Sequence, residues 1–302
     1  MSNDPLALIF VSNGPGELTT WVKPLAQELH KQIEIRPKAK TSSISLNLVL
    51  VPCPNATGNE NLVAQKWFQF ENIIGAKNFW ELLIKPKKFG SWPSNGLVIF
   101  LGGDQFWSVL LSARLGYLHM TYAEWIVRWP FWNDRVVAMS NNIVRRLPRS
   151  IQRRCTVIGD LTADLTETAE INDPLPRGKW IALMPGSKSA KLKIGIPFFL
   201  DVADKISKLK PECKFLIPVA PTTNLDQIKY FGSKKNPISK QYKSGIKSIT
   251  KANNKEKRGI LITNNSTEIL LQENYPAYAD LIQCDIALTT ICLLYTSPSP
   301  RD

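Results

Sequence analysis

Apolar positions along this chain come in short runs separated by polar, glycine-containing turns. Leu6-Ala-Leu-Ile-Phe-Val-Ser12 is almost unbroken, the pattern of a strand buried on both faces of a sheet. The same reading predicts strands at 44–51, 96–101, 117–123, 135–139 and 155–158. Helices are predicted at 18–31, 61–70, 78–84, 106–115 and 141–147, with Gly116 closing the fourth. A polar stretch with Pro174 and Pro176 interrupts the rhythm and marks a domain boundary near 165–178. Alternation then resumes with strands at 180–184, 214–219, 259–263 and 285–289, and helices at 197–209 and 276–282. Strands alternating with helices imply parallel sheets flanked by helices. The expected architecture is α/β, with two doubly wound Rossmann-like domains at 1–165 and 166–291.

The ending changes that picture. Residues 292–302, CLLYTSPSPRD, resemble the in-frame translation of a transposase sequencing adapter and are set aside as an artefact. On that reading the natural chain continues beyond Ile291, and the second domain is incomplete. The expectation is a chain that is inactive as it stands, does not bind UDP and aggregates through unpaired sheet edges.

Charge is concentrated in one place. The net charge is +13, and ten Lys/Arg against the single Glu256 between Lys229 and Arg258 supply +9 of it, leaving +4 elsewhere. That segment is rich in Ser, Asn and Gly, so a mobile, solvated surface insertion is expected rather than a nucleic-acid site. Attraction to anionic lipid headgroups fits the same charges. No apolar run approaches the ~20 residues of a membrane span, and the first residues lack the basic start of a signal peptide. A cytoplasmic protein is expected. Five cysteines without CxxC spacing and two histidines, His30 and His119, argue against a metal cluster or a disulfide scaffold. Packing roles are expected for both histidines.

Ligands of open α/β sheets bind where strand ends meet helix starts, and three loops there carry suitable chemistry. Ser12-Asn13-Gly14-Pro15-Gly16-Glu17 has glycines that let a ligand approach the backbone, though a plain strand–helix turn reads the same way. Gly102-Gly103-Asp104 puts a carboxylate directly after a strand, as a general base facing an interdomain cleft or as an N-cap for the next helix. Pro185-Gly186-Ser187-Lys188, with Lys191 and Lys193 one turn on, offers backbone donors and positive charge to a diphosphate, or is a simple turn with solvated lysines. Tyr122–Trp132 gathers three tryptophans, a tyrosine and a phenylalanine, which reads either as a membrane-interface belt or as a buried cluster.

Taken together these loops resemble the lipid-A-disaccharide synthase family and its cyanobacterial-type relatives, over roughly residues 6–290. Gly16-Glu17 stands where that family has Gly-Asp, Gly102-Gly103-Asp104 where it has Gly-Ile-Asp, and Leu183-Met-Pro-Gly-Ser-Lys188 where it has Leu-Pro-Gly-Ser-Arg. Val157-Ile-Gly-Asp-Leu-Thr-Ala-Asp164 matches a Gly-His-x-x-Ala-Asp segment, and 279–288 precedes a glycine-rich nucleotide loop. The resemblance implies a GT-B glycosyltransferase that moves a diacylglucosamine-like sugar from UDP to a lipid-linked acceptor with inversion and without metal or other cofactor. It implies Asp104 as catalytic base and Gly186, Ser187 and Lys188 as contacts to the donor. It further implies Asn13, Gly14, Gly16 and Glu17 as an acceptor or phosphate loop, a peripheral position on the inner membrane face, and no nucleic-acid partner. Three departures stand out: Lys188 lacks the forked donors of arginine, Asp160 replaces a histidine, and Lys191 replaces an acid. Two alternatives stay open on these residues, a UDP-sugar 2-epimerase of the same architecture and a non-catalytic, membrane-associated binding protein.

Overall fold

β1 (Leu6–Ser12) is buried along its whole length after Leu6, because sheet neighbours flank it on both sides and apolar layers cover both faces. A computed structural model of the protein describes residues 5–35, 43–53, 60–67, 69–163, 171–252, 258–273 and 277–289. Two compact units divide between Asp164 and Leu165. The adapter-like tail 292–302, Lys255, Lys257 and the first residues of the second unit lie outside the described residues.

In the first unit β1 pairs with β2 (Ile44–Leu50), which pairs with β3 (Asn72–Ile74) at one edge. On its other side β1 pairs with β4 (Asn95–Phe100), followed by β5 (Leu118–Ala123), β6 (Arg135–Ala138) and β7 (Cys155–Val157). The order is β3-β2-β1-β4-β5-β6-β7, all parallel. The chain runs outward on one side of β1 and then returns to build the other, so the connections part at the β1/β4 boundary. Ala7, Ile9, Val11, Val98, Phe100 and Leu111 form one core layer under the helix Gln105–Leu115.

The helix after β1 starts earlier than the expected residue 18. An α-turn at Pro15–Glu17 leads into a π-turn at Leu18–Val22 and then the helix Lys23–Ile35. Pro24 explains the π-turn. It has no N–H to give the Thr20 carbonyl and its ring crowds that carbonyl, so the preceding turn widens and Lys23 N–H bonds Leu18 O instead. The helix expected at 61–70 is only Glu60–Ala64.

Among the described residues the second unit has six strands, β8 (Lys179–Met184), β9 (Cys213–Pro218), β10 (Ile246–Thr250), β11 (Gly259–Thr263), β12 (Glu268–Gln272) and β13 (Ile286–Thr289). Their order is β10-β11-β12-β9-β8-β13. The run β12-β9-β8-β13 is parallel, whereas β10 and β11 are antiparallel additions at the edge, against the expectation of parallel pairing throughout. The switch point of this sheet lies between β8 and β13. Each unit carries a doubly wound α/β sheet, as expected from the sequence.

Two expectations in this unit are corrected. The helix after β8 spans Ser189–Leu209, eight residues earlier than Pro197, which sits in its interior. Proline there leaves the Lys193 carbonyl without its helical donor. The fully buried Asn236 supplies one: its Nδ2 donates to Lys193 O at 2.8 Å and to Phe231 O at 2.8 Å. Asn236 belongs to the basic segment expected to be a mobile insertion. Up to residue 252 that segment is instead folded, with a capping box at Asn224/Gln227 starting the helix Leu225–Phe231, a 3-10 turn Pro237–Gln241 and strand β10.

Candidate functional site

At the first switch point two loops interlock through glycine. Leu18 N–H bonds Gly14 O at 3.0 Å to open the helical turns after β1. The Glu17 carboxylate folds back against Gly14, filling the space that any Cβ there would need. In the neighbouring loop a Cβ on Gly102 would stand 2.8 Å from Glu17 Cγ and 3.1 Å from Ser12 Oγ. Gly103, at φ +100°, lies against the Asn13 side chain, 3.0 Å from where its Cβ would be. Ser12 Oγ and Asn13 Oδ1 are buried there without a hydrogen-bond partner among the described residues.

Asp104 follows as the N-cap of the helix Gln105–Leu115. Its Oδ1 accepts from Phe106 N–H at 3.0 Å, and its Oδ2 lies 3.9 Å from the Arg128 guanidinium, with the carboxylate half exposed. An exposed pair at that distance adds little stability; its interest is the position. Gln105, next in sequence, is buried, and its carboxamide uses both ends on one loop. Nε2 donates to Ile126 O at 2.8 Å and Oε1 accepts from Arg128 N–H at 2.7 Å. The loop after β5 is thereby held with Arg128 beside Asp104. Nothing in the sequence singles out Gln105 or Arg128, because 23 residues and a strand separate them.

The same helix is anchored from below by His119 on β5. Ser108 Oγ donates to Gln105 O at 2.8 Å, so the His119 Nε2–H is assigned as donor to Ser108 Oγ at 2.9 Å. Burial pulls the imidazole down to about 4, only partly opposed by the Trp132 carbonyl and the Asp134 charge. His119 is therefore a neutral core residue, and His30 sits on the helix Lys23–Ile35 beside Glu34 at 3.3 Å. Tyr122 packs edge-on against Trp21 at 5.5 Å, donates to Gly159 O and accepts from Leu161 N–H, tying the 159–161 turn to β5. Its phenol is pushed up to about 12, chiefly by burial, so it stays protonated. Asp160 caps its own turn, accepting from Thr162 N–H at 2.8 Å.

The aromatic segment is not the buried cluster that one reading expected. Tyr122 is buried, but Trp125, Trp129, Phe131 and Trp132 are 40–69% exposed. Trp129 meets Phe106 at 6.0 Å, Phe106 meets Trp107 at 5.2 Å, and Trp107 meets Trp80 at 5.2 Å. An apolar strip thus begins at the residues around Asp104.

At the second switch point β8 ends in Met184, and Gly186 turns the chain at φ +91°. Lys188 occupies the N-cap position of the helix Ser189–Leu209, and its side chain makes no cap bond. The partial positive charge at the start of a 21-residue helix lies beside Lys188, whose carbonyl already takes the Lys191 and Leu192 N–H groups at 2.9 Å. Gly195 keeps this end compact: a Cβ on it would stand 2.9 Å from the Pro185 carbonyl oxygen. The opposite wall of this switch point, after Thr289, lies outside the described residues. Among the described residues no group of three His, Cys, Asp or Glu is arranged to hold a metal, and no helix is long and apolar enough to cross a membrane.

No protein-family model matches the chain. Partial similarity links it to lipid-A-disaccharide synthases. The Legionella pneumophila (strain Lens) synthase 1 is 32% identical over 66 residues, 22% of this chain and 16% of that protein. The Chromobacterium violaceum enzyme is 34% identical over 73 residues, 22% of this chain and 19% of that protein. The matched stretches therefore span less than a fifth of the relatives' lengths. Among solved structures, a putative UDP-N-acetylglucosamine 2-epimerase from Listeria monocytogenes superposes with a TM-score of 0.52 at 12% identity, over 94% of this chain and 73% of that one. The S. aureus MnaA–UDP co-structure gives 0.54 at 13% identity, over 95% and 73%. These likenesses establish the shared fold.

Proposed function

We propose that this chain belongs to an inverting glycosyltransferase that moves a sugar from a UDP-sugar to a lipid-linked acceptor, as in the lipid-A-disaccharide synthases it partly resembles. The observation that carries the reading is the placement of glycine-shaped loops at both sheet switch points, one bearing Asp104 and the other Gly186, Ser187 and Lys188. In the reaction the acceptor hydroxyl oxygen bonds the anomeric carbon as the bond to the UDP oxygen breaks. Asp104 Oδ2 takes the hydroxyl proton, while Oδ1 stays on Phe106 N–H and fixes the carboxylate's orientation. The charge gathering on departing UDP is met by the open helix N-terminus and Lys188. No metal or other cofactor enters this scheme.

On the acceptor side, Asn13, Gly14, Gly16 and Glu17 suit a hydroxyl-bearing sugar better than a phosphate. The Glu17 carboxylate already lies over Gly14 and repels an anion there. The exposed Trp125–Trp132 strip suits acyl chains or the inner membrane face beside them.

The 2-epimerase reading is kept because the Listeria monocytogenes and Neisseria meningitidis 2-epimerase structures share the fold at TM-scores of 0.52 and 0.51. The two part in one assay. The natural full-length protein, given UDP-N-acetylglucosamine alone, should leave it unchanged, and it should release UDP only when a UDP-diacylglucosamine donor and a lipid-linked sugar are supplied together. Asp104→Asn, which can still cap Phe106 N–H but takes up no proton, should lower that turnover by roughly 100-fold or more with a nearly unchanged melting profile. Epimerised sugar without acceptor, or undiminished turnover by the variant, overturns the assignment.

A further inference from the structure

The seven lysines between Lys229 and Lys251 sit in a stretch that contains no acidic residue, and the mechanism above leaves them without a task. All seven are exposed, and among the described residues none is within ion-pair distance of a carboxylate. They are not carried by a slack tether. Asn236 and Ser239 both donate to Phe231 O, Asn236 Nδ2 also holds Lys193 O, and Ile246 packs over Gly232. β10, with Lys247 exposed, is hydrogen-bonded to β11 along the sheet edge. A folded scaffold therefore displays like charges that no carboxylate among the described residues offsets.

Apolar groups stand among these charges. Ile194 and Phe198 lie one turn apart on the helix Ser189–Leu209, 54% and 43% exposed, and Phe198 meets the Tyr242 ring at 6.2 Å. Tyr230, half exposed, adjoins Lys229. We propose that this basic, aromatic-studded face of the second unit, built from the 229–251 segment and the exposed side of the helix Ser189–Leu209, docks on an anionic lipid bilayer. Charge complementarity selects an anionic partner, and two features select lipid over nucleic acid. Every basic residue of the stretch is lysine, a point charge suited to diffuse headgroup attraction, with none of the forked arginines that read bases and phosphates. Ile194, 54% exposed and one turn from Phe198, gives this face an aliphatic group that can enter the headgroup–acyl boundary, where base stacking would use only its aromatic rings. The proposal concerns this face alone and stands whether or not the chain transfers a sugar.

The test is co-sedimentation of the full chain with vesicles of phosphatidylcholine alone and of phosphatidylcholine with about 30% phosphatidylglycerol. Binding should appear only with phosphatidylglycerol and fall at about 0.5 M NaCl. Each neutralised lysine should weaken it roughly fivefold, so the triple variant Lys240→Gln, Lys243→Gln, Lys247→Gln should lose about 100-fold, with an unchanged circular-dichroism melt. Phe198→Ala should weaken the salt-resistant part. Equal binding to both vesicles, or triple-variant binding equal to wild type, overturns the proposal. So does an oligouridine RNA of about 20 nucleotides that binds the same lysines more tightly than the vesicles do.

Discussion

His119 shows at the level of one residue how the core supports the candidate site. Its ring lies in β5, yet its bond to Ser108, and Ser108's bond to Gln105 O, reach the helix start that carries Asp104. Burial lowers the imidazole from its ordinary 6.5 to about 4, so the folded protein keeps it neutral where an unfolded chain would protonate it. With the folded value depressed, this contribution to stability is intact above pH 6.5 and declines as pH falls from 6.5 towards 4. The full swing is about 3 kcal/mol. Urea unfolding at about pH 7 and about pH 5 should show wild type losing stability over that step. His119→Gln, whose amide can still donate to Ser108 but does not titrate, should lose markedly less. Equal losses in the two proteins would remove His119 from this role. Asp204 in the second unit titrates with the same sign at lower pH. Burial raises it, but donors including Thr263 and Asn265, both at 2.6 Å, outweigh that and hold it below the ordinary carboxylate value. Its contribution is present at neutral pH and lost only at the acid end.

At the scale of elements, the chain's own pattern locates some pieces and hides others for identifiable reasons. β1, β2, β4, β8 and β9 read directly from apolar runs because both faces of a parallel strand are covered. β3 is three residues at an edge and β12 (EILLQ) is brief and flanked by polar residues, so neither stands out from its surroundings. The start of the helix Ser189–Leu209 and the fold of the basic segment were hidden by a single contact, Asn236 on the Lys193 carbonyl, between residues 43 apart. The three loops were legible as glycine-rich strand ends, whereas the Gln105 clamp on the Arg128 loop depends on tertiary packing with no local signature. The Asn236 contact makes a sharp prediction. Asn236→Ala leaves the Lys193 carbonyl without this donor, while Phe231 O keeps Ser239 Oγ, and should cost about 1–3 kcal/mol by urea unfolding. Pro197→Ala restores a donor to Lys193 O within the helix, so in the Pro197→Ala background the same substitution should cost about 1 kcal/mol less, or better. Strict additivity of the two changes would show that Asn236 does not act through that carbonyl.

For the molecule as a whole, the two units carry separate cores. Among the described residues the first packs seven strands over Ile9, Val11, Val98 and Leu111, the second six strands over Leu183, Phe199, Phe215 and Leu261. A seven-stranded parallel sheet with its own buried layers is large enough to fold alone. The fragment 1–164 should therefore give a single cooperative urea transition, with far-ultraviolet circular dichroism and tryptophan fluorescence superposing. It holds Asp104 and the Asn13–Glu17 loop but lacks Gly186, Ser187 and Lys188. Under the proposed division of labour it should show no UDP binding by calorimetry. The natural full-length protein should bind UDP saturably, and Lys188→Ala should weaken that binding by about tenfold, the loss expected when one charge-assisted contact worth ~1.5 kcal/mol is removed. UDP binding by 1–164 would move the donor site to the first unit and reverse the proposed roles of the two switch points. A non-cooperative transition of the fragment would instead show that the first sheet needs the second unit in order to fold.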